Sequence, residues 1–131
     1  MMRKYLAPLL LPATLIWACS KPPRPEDAAA KAAKEYYTLL IKGRYSEYVS
    51  GIAGTDSIPD SYREQLTVNA EQFVAMQKSN HGGIVDISVA DAVADTARHS
   101  ASVFLMLHFA DSLKEEVVVP MAHRNGRWMM R

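Results

Sequence analysis

A single cysteine, Cys19, stands in the 131 residues, so no disulfide can form within the chain. No apolar run reaches the roughly 20 residues that a membrane-crossing helix requires. Basic and acidic residues nearly cancel, 15 against 14, for a formal charge of +1. The lysines and arginines are scattered and no aromatic residues interleave with a basic run, so no nucleic-acid partner is expected. What remains is ordinary globular composition, 49% hydrophobic and 22% charged, at a one-domain length.

The opening of the chain carries an address. Met1 to Lys4 is a short positive region, Tyr5 to Trp17 an apolar one broken by Pro8 and Pro12, and Ala18-Cys19 closes it. This is the layout of a secretory signal peptide over residues 1–18. Its end, Leu15-Ile16-Trp17-Ala18-Cys19, resembles the lipobox of bacterial lipoproteins. The resemblance implies cleavage after Ala18, a diacylglyceryl thioether on Cys19, and acylation of the new amine by a fatty acid such as palmitate. A plain secretory peptide is the alternative, but it leaves an exported chain with an unpaired thiol. Several acyl chains hold a protein to a bilayer far better than one. Ser20 to Pro25 places three prolines in six residues, which makes residues 19–25 a lipidated cysteine with an extended tether. Ser20 is not the aspartate that retains enterobacterial lipoproteins in the inner membrane, and no acidic export run follows Cys19. The expected location is therefore the outer membrane, facing the periplasm. Once Arg3 and Lys4 leave with the signal peptide, the formal charge falls to about −1.

The folded domain spans residues 26–131 in this reading. Ala28 to Lys42 has apolar residues at three-to-four spacing and Gly43 as its stop, predicting an amphipathic helix. Arg44 to Ser50 predicts a short second helix. Asp60 to Ser79 predicts a third, with Tyr62, Leu66, Phe73, Val74 and Met76 on its buried side. From Ile84 the period changes to two. Strands are expected over Ile84 to Val93, Ala97 to Ala110, Leu113 to His123 and Arg127 to Arg131. The second strand is central, with Ala101, Val103, Leu105, Leu107 and Phe109 inward and Phe104, Met106 and His108 outward. Asn125-Gly126 is the clearest hairpin turn, since both residues accept positive φ. The fold class is α+β: N-terminal helices packed on a four-stranded antiparallel meander.

Lys42-Gly43-Arg44-Tyr45 after helix one and Asn125-Gly126-Arg127-Trp128 at the final hairpin resemble the motifs of the nuclear-transport-factor-2-like, cystatin-like cone. In particular the chain resembles small Bacteroidota lipoproteins carrying domain of unknown function 4878. That resemblance implies a curved sheet wrapped around helices, often with a pocket between the layers. It implies no chemistry, because one fold hosts many functions.

Two readings of function follow. The first is a membrane-anchored envelope lipoprotein acting as a non-catalytic binding or assembly module, with Tyr36, Tyr37, Tyr62, Phe73, His99, Val103, Leu105 and Trp128 as candidate pocket residues. The alternative is a small cone-fold enzyme of the isomerase or hydratase kind, which needs an acid or base against an apolar wall. No carboxylate falls on the inward face of the central strand. His99 and His108 differ in parity and point to opposite sides, which argues against a shared metal site. His81 and His123 lie at element ends. Neither a metal nor another cofactor is expected. On the outer face Phe104 and Met106 form a candidate interface for a second copy or an envelope partner. Asp56-Ser57-Ile58, Asp95-Thr96-Ala97 and Asp111-Ser112-Leu113 resemble the O-glycosylation sequon of exported Bacteroidota proteins, making Ser57, Thr96 and Ser112 candidate acceptors. Asp-Ser and Asp-Thr are also good turn formers.

Overall fold

Alanines decide how closely the layers meet. Ala29, Ala30 and Ala33 form the buried stripe of the first helix, and their small side chains let its axis approach the sheet. The computed structural model describes residues 24–131; the expected signal peptide, Cys19 and the tether up to Pro23 lie outside the described residues. Helix α1 runs Pro25–Ile41, with Pro25 at its first position and Glu26 and Asp27 in its first turn. Gly43, at φ 78°, ends the helical path. Two further helices follow, α2 (Tyr45–Ser50) and α3 (Asp60–His81), joined through a 3-10 turn at Thr55–Ser57. Gly82 closes α3 in the left-handed region, with Lys78 and His81 in the last turn.

Four strands complete the chain: β1 (Ile84–Asp95), β2 (Ser100–Phe109), β3 (Lys114–Arg124) and β4 (Arg127–Met130). They form one antiparallel meander in the order β1-β2-β3-β4, as expected. Asn125 and Gly126 both take positive φ at the β3–β4 turn. The segment after α2 docks on β4, where Gly51 O accepts from Met130 N and Met130 O accepts from Ala53 N. Helix α1 lies across all four strands.

The alternation of β2 is as read: Ala101, Val103, Leu105, Leu107 and Phe109 are buried against α1, together with Ile87, Val119, Met121 and Met130. Two features differ. Ala97 to His99 is not strand; Thr96–Arg98 is a 3-10 turn in which the Asp95 carboxylate accepts from Arg98 N, and His99 sits at φ 51°. A local carboxylate-to-backbone bond outcompetes the ladder there. In exchange β1 runs two residues further than expected, to Asp95, and carries register shifts at Val85 and Ala90. Such bulges bend a strand and raise its twist, which curves the sheet around α1.

Helix α3 also departs from expectation. Its one fully buried residue is Ala70, with Leu66, Phe73 and Val74 half-buried, while Tyr62 is 57% and Met76 58% exposed. The ten residues from Leu66 to Met76 rotate the latter about 80° off the packed stripe. Tyr62 shares that stripe but sits on the first turn, beyond the elements that cover the rest. α3 meets α2 and edge strand β1 rather than the sheet centre.

Candidate functional site

Of the aromatic residues expected to share one pocket, Tyr37 and Phe73 line one concavity beside α1 and Trp128 lines another, while Tyr36 and Tyr62 line neither. The first lies among the helices. Tyr37 and Leu40 of α1, Tyr48 of α2, and Leu66, Asn69 and Phe73 of α3 line a cavity of about 280 Å³. The rings of Tyr37 and Tyr48 meet edge to face, 5.8 Å apart at 85°. Edge-to-face contact is a favoured geometry for aromatic pairs. Besides the two hydroxyls, Asn69 is the polar side chain of this lining. The cavity therefore offers aromatic surface, one amide and no charge.

Burial pushes the Tyr37 hydroxyl above its usual range, partly offset by its hydrogen bond with Tyr48. Tyr48 is raised further, by burial first and then by Tyr37. A folded-state pKa above the unfolded value of about 10 means that this contribution to stability is complete below that pH and is lost as pH climbs through the folded values. An absorbance titration at 295 nm is expected to show Tyr37 and Tyr48 lagging the exposed phenols and ionising with unfolding. Simultaneous ionisation of all the tyrosines near pH 10 would contradict the burial.

The second concavity lies at the opposite end of α1. Pro25, Ala28, Thr96, His99, His123 and Trp128 enclose about 250 Å³. Tyr36 is fixed beside it, its hydroxyl donating to the Trp128 carbonyl at 2.8 Å. The His123 ring lies 4.9 Å from the Trp128 ring. His99 O accepts from His123 N at 2.8 Å, so the β1–β2 connection is tied to β3. A wider groove of about 510 Å³ continues outward past Arg98, His99, Ser100, His123, Arg124 and Arg131.

The remaining candidates separate cleanly. Val103 and Leu105 are 0% exposed and fill the core; they line neither concavity. Tyr62 stands in solvent and lines neither concavity. Phe104 and Met106 are half-buried on the outer sheet face, Phe104 between Asp91 and Val118, and Met106 between Ser88 and Glu116. Ser57, Thr96 and Ser112 are exposed in connections, as expected of reachable hydroxyls. His81 stacks on Phe109 at 4.2 Å and bonds Asp111 at 2.8 Å, clasping the end of α3 to the β2–β3 turn.

One pair escaped the sequence. Ser88 Oγ lies 2.8 Å from His108 Nε2 across β1 and β2 on the outer face. The β1 bulge near Val85 sets that register, and no sequence signal announces it. Among the described residues, no hydrogen bond joins the other ring nitrogen of His108 to a carboxylate, the arrangement that would orient a base. No group of three His, Cys, Asp or Glu side chains gathers among the described residues as a metal would require.

No protein-family model matches the chain, and no curated protein matches it. Among solved structures, the chain is similar to a nuclear-transport-factor-2-like (NTF2-like) transpeptidase from Campylobacter jejuni, with a TM-score of 0.63 at 18% identity. The match covers 76% of this chain and 94% of that one. At that identity the likeness shows the fold: the NTF2-like cone, helices held by a curved four-stranded sheet.

Proposed function

We propose that this protein is a lipid-anchored envelope lipoprotein whose cone domain binds a small, largely apolar ligand without transforming it. The observation that carries the binding role is the cavity among Tyr37, Tyr48, Leu66, Asn69 and Phe73. Aromatic walls with two phenol hydroxyls and one amide suit a flat, uncharged group, and the lining includes no carboxylate, imidazole or thiol. The anchoring half rests on the lipobox-like Leu15 to Cys19 and the proline tether. Native protein extracted from its membrane is expected to carry a small molecule detectable by mass spectrometry. Leu66→Trp, which fills the cavity from α3, should abolish that load and preserve the fold. A load unchanged in Leu66→Trp would move the binding site elsewhere.

Ser88 and His108 are the observation behind the second reading, a cone-fold enzyme. That pair stands on the open outer face, outside both concavities, and no carboxylate bonds it among the described residues. The same face carries Phe104, Met106 and Val118, and we propose it as the surface that a second copy of the chain would cover. Phe104→Glu is expected to leave folding intact and disperse any oligomer seen by light scattering; unfolding would mean the outer face is not outer.

A further inference from the structure

We propose that the groove between the β1–β2 connection and the β3–β4 hairpin binds the phosphate of an anionic phospholipid head group. The residues come from three places in the sequence. Arg98 and His99 lie in the β1–β2 connection, His123 and Arg124 end β3, and Arg131 follows β4. Antiparallel pairing brings them to one end of the sheet, where Ser100 pairs with Ala122 and Arg124 with Arg127. The result is a concavity of about 510 Å³ ringed by three guanidiniums, two imidazoles and the Ser100 hydroxyl.

Charge in this groove is largely uncompensated. Arg98 meets Asp95 at 3.7 Å, with both side chains exposed, while Arg124 and Arg131 form no ion pair among the described residues. Guanidiniums are planar forks whose geometry matches phosphate, and the imidazoles add donors when protonated. The backbone is held in place: His123 N donates to His99 O, and Arg131 N donates to Pro120 O.

Position identifies the source of the phosphate, and here the inference rests on the anchored reading. Pro25, where the described chain begins its first helix, lines the concavity adjoining this groove and shares His99 and His123 with it. Five residues separate Cys19 from Pro25, six chain steps that reach at most about 22 Å when extended. A lipid on Cys19 therefore keeps the basic end of the cone, rather than its far end, over the head groups. Two contacts then act together, the acyl anchor and the groove, and orient the domain on the surface.

The test uses the full chain in nonionic detergent, following the His99 and His123 imidazole resonances by NMR. Dihexanoyl phosphatidylglycerol is expected to shift both saturably, and dihexanoyl phosphatidylcholine to bind at least tenfold more weakly. Arg98→Gln with Arg124→Gln should lower affinity at least tenfold, whereas Lys31→Gln, on the exposed side of α1, should not change it. Inorganic phosphate binding as tightly as the anionic lipid would overturn the lipid assignment. Absence of any shift, or equal shifts in the arginine variants, would overturn the groove itself. Because short-chain lipid needs no anchor, this result is read independently of the mass of the mature N-terminus, which tests the anchoring.

Discussion

Leu105→Ala is expected to remove about 2–5 kcal/mol of stability, read as a lowered midpoint in urea denaturation. Leu105 is fully buried at the centre of β2, paired with Val89 on one side and Val117 on the other, beneath the alanine stripe of α1. The stripe consists of methyl groups, which have no reach to fill the space left by an isobutyl side chain. A helix seated on four strands cannot move inward at one of them alone, so the cavity stays open. Domains of this size are stable by roughly 5–15 kcal/mol, so the variant is expected to lie near the edge of folding. Phe104→Ala, one residue away, is the control. Its half-exposed ring on the outer face should cost less than half as much, and equal costs would contradict the assignment of the two faces.

Gly51→Ala should destabilise by about 1–3 kcal/mol through a different cause. The backbone at Gly51 has φ −80°, which any residue adopts, so no strain attaches to the conformation. The added methyl would overlap the ring of Tyr36 at Cδ1 and Cε1. That ring has no easy exit, because its hydroxyl is bound to the Trp128 carbonyl and Gly51 itself bonds β4 through Met130. Combining Gly51→Ala with Tyr36→Val is expected to recover part of the loss, giving a coupling that distinguishes overlap from a general helix-end effect. Additive costs in the double variant would refute the steric account. Gly54 offers the contrast: a Cβ there meets nothing within 4 Å, but φ is 86°, so its substitution is costly through the backbone.

What the sequence disclosed, and what it concealed, follows from which forces are local. Period-two alternation over Ala101 to Phe109 identified the buried face of β2, because burial on one side acts on every second residue. Asn125-Gly126 and Gly43 announced a turn and a helix end through their own conformational freedom. The same alternation continued through Ala97 to His99, where the Asp95 carboxylate captured the Arg98 amide and ended the strand. Helical spacing identified the stripe of Leu66 and Phe73 but not the length over which α3 is covered, and Tyr62 was misplaced for that reason. The two concavities were not separable, since nothing local distinguishes Tyr36, turned toward Trp128, from Tyr37, turned toward Tyr48. The basic groove and the Ser88–His108 pair depend on cross-strand register. Arginines scattered along the sequence become neighbours only once β2, β3 and β4 are paired.

The central claim is that Cys19 becomes an acylated amino terminus and holds a binding domain at a membrane. Intact mass of the protein extracted from cells fed labelled palmitate tests it most directly. The account predicts a chain that begins at Cys19, carries a diacylglyceryl thioether and an amide-linked acyl group with the label, and fractionates with membranes. A chain recovered in the soluble fraction with a free thiol at Cys19 and no label would contradict it.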